Sequence, residues 1–154
     1  MEVTFQPATN SDRNLLLTLT KEFYEIEDLT YNIEVLNKCF DEIFTNDSLA
    51  TIWIIYAARE AVGYLVLTYG YSLEFHGRDA LIDEFYIRET YSGQGIGKQT
   101  LEFVQTTCQT SGIKAVHLEV SHENTRAKTI YQKAGFVEHD RYLMTNWITT
   151  EKGN

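Results

Sequence analysis

The run Tyr91, Ser92, Gly93, Gln94, Gly95, Ile96, Gly97, Lys98 limits this chain more than any other segment, because it joins a strand pattern directly to a helix pattern. Residues 81 to 87 read as a strand, and residues 96 to 110 as a helix with Gly97, Leu101, Val104 and Cys108 along one face. A glycine-rich turn at a helix start leaves main-chain N–H groups bare where the macrodipole is positive, which suits an anion. The anion expected is a pyrophosphate; the plainer alternative is a turn that only starts a helix. Two phosphate loops are excluded by what stands in this one. Counted from Gly93, a dinucleotide fingerprint needs glycine where Lys98 stands. A triphosphate loop needs glycine at Ser92 and Ser or Thr at Gln99.

A second segment carries its own signals. After the strand-like Ala115 to Val120 comes Asn124, a good helix cap. Ala127, Ile130, Tyr131 and Ala134 then follow at three and four spacing, and Gly135 is a natural left-handed stop. Tyr131 falls about two turns into that helix. On spacing alone it is either a core tyrosine with a satisfied hydroxyl or a functional one.

Together the two segments resemble the signatures of the GCN5-related N-acetyltransferase (GNAT) family. Its acyl-CoA loop runs Arg or Gln, two free positions, Gly, one free position, then Gly or Ala. Gly95 and Gly97 fit, while Ser92 departs at the first position. The other signature is an Asn, a small residue three later, a Tyr seven later and a closing Gly-Phe, matched by Asn124, Ala127, Tyr131, Gly135 and Phe136. The resemblance implies acetyl-CoA as acyl donor. By position, Phe85, Tyr86 and Ile87 would line the pantetheine arm, and Gly93, Gln94, Gly95, Ile96, Gly97 and Lys98 would hold the pyrophosphate. Asn124, Thr125, Arg126 and Ala127 would meet the other side of the cofactor. Tyr131 would protonate or hydrogen-bond the departing thiolate. Because main-chain donors hold the phosphates, Ser92 is expected to weaken or reshape binding more than abolish it.

The order of patterns gives the fold class. A strand at 2 to 6 precedes helices from Ser11 or Asp12 to about Ile26 and from Ile33 to Phe44. Strands Thr51 to Ala58, Val62 to Tyr71 and Ala80 to Ile87 follow, the first two joined as a hairpin by Arg59 to Ala61. After the loop and its helix come a strand from Lys114, the second helix, and two last strands near Phe136 and from Tyr142 to Ile148. This order indicates an α/β (α+β mixed) three-layer domain around a mixed sheet. The resemblance makes it the α/β/α acyl-CoA N-acyltransferase fold, with a largely antiparallel sheet that splays near the cofactor. One domain over residues 1 to 154 is expected: there is a single proline, Pro7, and no Gly-, Pro- or Ser-rich linker.

Amine acetylation needs a neutral nucleophile, so a group must take a proton. In the run Asp83, Glu84, Phe85, Tyr86, Ile87, simple alternation puts Asp83 with Phe85 and Ile87, and Glu84 with Ile82 and Tyr86, one carboxylate facing each way. This order is similar to that of the diamine acetyltransferase branch, which makes Asp83 the proton acceptor and Glu84 the alternative. A solvated or ion-paired carboxylate is the plainer reading of each. Glu22, Glu25, Glu27 and Asp28 gather acid at the end of the first helix, where they oppose its dipole. They are read first as a solvated end, and otherwise as a mouth for a di- or polyamine, with Glu25, Glu27 and Asp28 nearest the substrate.

The formal net charge of −9 and the scattered Lys and Arg residues disfavour nucleic acid and favour a cationic small-molecule amine. No apolar run reaches the roughly 18 residues of a membrane span, and the N-terminus lacks the secretory pattern. Cys39 and Cys108 in helical context suit a reducing compartment, so a cytoplasmic home without membrane partner is expected. The four histidines have no zinc-type spacing, and no metal is expected. The aromatic and polar segment Tyr69 to Asp79 is expected to close over substrate or to pack in a homodimer. Acetylation of a protein amine is one alternative; a CoA-binding regulatory or interaction domain without catalysis, motivated by Ser92, is another.

Overall fold

Apolar alternation between residues 50 and 87 builds the centre of the molecule. The computed structural model describes residues 1–149. Its elements are β1 (Val3–Pro7), α1 (Arg13–Ile26), α2 (Ile33–Thr45), β2 (Ala50–Ala57), β3 (Glu60–Ser72), β4 (Gly77–Ile87), α3 (Ile96–Thr110), β5 (Ala115–His117) and α4 (Thr125–Lys133). The strands form one sheet in the order β1-β2-β3-β4-β5, antiparallel through β4, with β5 parallel to β4. The β2–β3 hairpin turns on Ala58 and Arg59, both at positive φ, which matches the twist that a two-residue turn requires.

Each face of the sheet buries a separate cluster. Ile52, Ile54, Tyr64, Val66 and Tyr86 meet Leu16 and Leu19 of α1 and Phe40 of α2. Trp53, Ile55, Leu65, Leu67 and Ile82 meet Ile96, Leu101, Val104 and Cys108 of α3, with Tyr131, Ala134 and Phe136 packed on the margin. The result is the three-layer α/β arrangement with a mixed sheet. None of the described helices is long and apolar enough to cross a membrane.

Three expectations need correction. First, β3 and β4 stay paired out to Ser72 and Gly77, so most of the segment Tyr69 to Asp79 is ladder and not an open loop. Alternating aromatic residues favour the ladder, and in the short turn that remains Phe75 packs on His117 and His139, with ring centroids 4.5 and 5.8 Å away. Second, only Ala115–His117 of the fifth strand pairs. Third, neither last strand forms: among the described residues, 136–149 hold no strand. Residues 138 to 141 are held by side chains instead, through Lys128–Glu138 and Arg141–Glu74 ion pairs, each 2.6 Å. Beyond them Tyr142, Leu143, Met144 and Ile148 are exposed.

Candidate active site

The site is built at the C-terminal end of β4. β5 pairs only with Asp79, Ala80 and Leu81, so from Ile82 to Ile87 the β5-facing edge of β4 has no strand partner among the described residues. The sheet splays open there. An unpaired edge can accept an extended amide-bearing chain as an added strand.

A bulge interrupts the other edge of the same stretch. Val66 pairs with Glu84 but Leu67 with Ile82, so Asp83 is an extra residue in β4. One inserted residue breaks simple alternation. Ile82, Phe85 and Ile87 all lie on the α3 side, which corrects the expected grouping of Ile82 with Glu84 and Tyr86. The charges of both carboxylates reach the hydroxyls of Tyr24 and Tyr64, and that of Asp83 reaches Glu84.

Their surroundings differ sharply. Glu84 accepts hydrogen bonds from Tyr24 Oη (2.5 Å) and Tyr64 Oη (2.7 Å), one on each oxygen. Burial raises its carboxyl above the ordinary range, the two hydroxyls pull it down, and the Asp83 charge adds to the rise. The Asp83 side chain makes no hydrogen bond or ion pair among the described residues. It reaches solvent, yet enough protein surrounds the carboxyl for desolvation to raise it too. One carboxylate is clamped; the other is free to exchange protons.

Tyr131 lies on α4, packed against the α3-side cluster, its ring 6.1 Å from that of Phe136. Its phenol is raised by burial and then by the charge of Glu27 at the end of α1. Its hydroxyl has no hydrogen-bond partner among the described residues. The remaining acids of α1 separate. Glu25, Glu27 and Asp28 are exposed at its C-terminal end. Glu22 instead forms a two-pronged pair with Arg88 (2.9 and 2.8 Å) and accepts from Tyr86 Oη (3.0 Å), which holds its carboxyl below the usual range. Glu22 is therefore a structural tie from α1 to the end of β4.

The loop before α3 fits an anion. Gly95 caps the helix at φ 79° without any side-chain cap, so the first-turn N–H groups of α3 stay bare. Gly93 also sits at positive φ, and a Cβ on either glycine would meet nothing within 4 Å. The space above both is open. At Gly97 the neighbour is Ile87, 4.0 Å from where a Cβ would lie, which ties the loop to the end of β4. Gln94 and Lys98 are exposed and Ile96 is buried as the anchor. Phe85 and Ile87 face α3 whereas Tyr86 faces α1, so Tyr86 can offer that arm its backbone but not its ring. Asn124 spends its side chain on the Ala127 N–H (3.2 Å) as the α4 cap, and Thr125 and Arg126 are exposed beside it. Gly135 ends α4 at φ 101°.

The sequence reading missed Tyr24 and Tyr64. No local pattern marks tyrosines that reach Glu84 from 60 and 20 residues away in the chain.

The acetyltransferase (GNAT) family model matches residues 17–136. The chain belongs to this family. It is 29% identical to a mycothiol acetyltransferase of Jonesia denitrificans over 72% of its own length, but spans only 34% of that relative. A spermine/spermidine N(1)-acetyltransferase of Bacillus subtilis is 26% identical, covering 88% of each chain. Among solved structures, an integron cassette protein from the mobile metagenome of Cole Harbour Salt Marsh superposes with TM-score 0.82 at 29% identity, over 94% of this chain and 90% of that one. The GNAT family uses acetyl-CoA, and the bare α3 N-terminus and the open edge of β4 are the parts of this chain suited to hold it.

Proposed function

We propose that this GNAT acetyltransferase moves an acetyl group onto the primary amine of a small cationic molecule by direct attack. The observation that carries the reading is the β4 bulge, which places Asp83 beside Glu84 at an open strand edge. Acetyl-CoA supplies the thioester when bound, its pyrophosphate at the first turn of α3 and its amides along residues 85 to 87. Asp83 takes the proton of the incoming ammonium group, directly or through water, so that the amine attacks in neutral form. Glu84, fixed by Tyr24 and Tyr64, keeps a second acidic group beside it and favours a cation at the site. Tyr131 gives its phenolic proton to the departing sulfur. Glu27 near Tyr131, with Glu25 and Asp28, makes the mouth attractive to an amine bearing more than one positive charge.

The net charge of −9 supports the same acceptor class and speaks against nucleic acid. Cys39 and Cys108, neither in a disulfide, suit a cytoplasmic setting. The test is acetyl-CoA turnover across a panel of polyamines, aminoglycosides, amino acids and peptide N-termini. A preference for di- and polyamines is expected, reduced by Glu27→Gln through KM. Turnover confined to peptide amines would overturn the small-molecule assignment, and CoA binding with no turnover would favour a regulatory domain.

A further inference from the structure

The loop before α3 is not braced by its own side chains. Residues 92 to 95 are exposed, Gly93 and Gly95 sit at φ 74° and 79°, and Ser92 and Gln94 make no side-chain hydrogen bond among the described residues. Two glycines leave such a loop many conformations, and ordering them when a ligand arrives weakens affinity. The ends of the loop must therefore set its shape. Ile96, buried under the start of α3, holds one end.

The other end is tied to β3. Arg88 N–H donates to the Val62 carbonyl (2.7 Å), Arg88 Nη1 donates to the Ala61 carbonyl (3.1 Å), and Tyr91 Oη donates to Glu60 Oε2. Three bonds thus land on the three successive residues that open β3, just after the turn at Ala58 and Arg59. One turn of 3₁₀ helix, Glu89–Tyr91, joins the two Arg88 bonds to that of Tyr91. The Tyr91 ring packs on the α3-side cluster, and the hydrogen bond to Glu60 raises the phenol, so the hydroxyl stays the donor. Arg88 has a second duty, its paired bonds to Glu22 of α1. Tyr91 and Glu60 make no other side-chain hydrogen bond among the described residues.

A solvent-exposed bond of this kind adds little to folding stability. Its place, immediately before Ser92, gives it another use. We propose that Tyr91 and Glu60 are positioning residues for the acyl donor, a role that rests on the reading of this loop as the pyrophosphate site. Their bond fixes where the chain enters the loop, so that residues 92 to 95 and the bare N–H groups of α3 are set before the diphosphate arrives.

The test needs no acceptor amine. Amide NMR titrations of the intact protein compare CoA with pantetheine, which is the same thiol arm without the pyrophosphate. Tyr91→Phe should weaken CoA about fivefold and leave pantetheine as in wild type. Glu60→Ala, changed from the other side of the bond, should match it, and the double variant should be no weaker than either. Glu60→Gln still accepts the bond and should stay within about twofold of wild type. Equal losses on both ligands would make the pair a support of the fold alone, and unchanged CoA affinity would leave the loop without need of an anchor; either result overturns the proposal. CoA that binds the wild type without shifting the amides of residues 93 to 98 would instead overturn the pyrophosphate assignment, and the proposal with it.

Discussion

The two edges of β4 do opposite things. Toward β3 the strand is paired from Gly63↔Ile87 to Ser72↔Gly77, broken once by the bulge at Asp83. Toward β5 it is paired for three residues and then left open. The closed edge sets the register of the two carboxylates, and the open edge leaves room for the proposed co-substrate. Stability and chemistry therefore reside on different sides of one strand, and substitutions can be assigned to one or the other.

The largest effect is expected on the open side. Asp83→Asn removes the proposed proton acceptor but keeps its size, so kcat/KM for a polyamine should fall about 10³-fold, equivalent to about 4 kcal/mol, with the melting temperature nearly unchanged. Because burial raises the Asp83 carboxyl, wild-type activity should rise with pH through that elevated value, and the limb should vanish in the variant. Equal loss of stability and rate would mean that Asp83 only shapes the bulge. Gly63→Ala breaks the closed side. A Cβ there would sit 1.9 Å from the Tyr86 carbonyl oxygen, a backbone atom that cannot move without parting β3 from β4. Urea denaturation should show a loss of about 3 kcal/mol.

Tyr131→Phe comes next, with about 10²-fold lower kcat and a small change in the acetyl-CoA KM. The contrast with Gly63→Ala is the point: the phenol has no partner to lose, so denaturant midpoints should match wild type within about 0.5 kcal/mol. A tyrosine that were only packing would show the reverse.

How far the sequence revealed these edges follows from range of interaction. Local signals were legible: the αL glycine before α3, the Asn124 cap and the Gly135 stop depend on a few neighbouring residues. The hairpin was placed within two residues for the same reason, although Ala58 and Arg59 adopt positive φ without glycine's freedom. The bulge was hidden because register is decided by β3, not by β4 alone. The Glu84 clamp was hidden because its donors come from α1 and β3. Residues 142 to 148 read as a strand by composition, but a strand exists only when another edge accepts its hydrogen bonds.

The smallest predicted effect separates the two carboxylates where the edges meet. In the folded protein the Glu84 pKa is raised from 4.5, so proton loss is harder in the folded chain than in the unfolded one. The stability this contributes is fully present below the unfolded value and is lost as pH rises through the folded value. Glu84→Gln cannot ionise, so it escapes that loss but gives up one of two tyrosine hydrogen bonds, about 1 kcal/mol. At pH 4 the variant should be less stable than wild type by roughly that amount. Towards pH 8 the gap should narrow or reverse, as read from urea midpoints across the range. A gap that widens with pH would mean that Tyr24 and Tyr64 hold Glu84 as a stabilised anion, which would make Glu84 a fixed charge for the incoming amine and leave proton transfer to Asp83 alone.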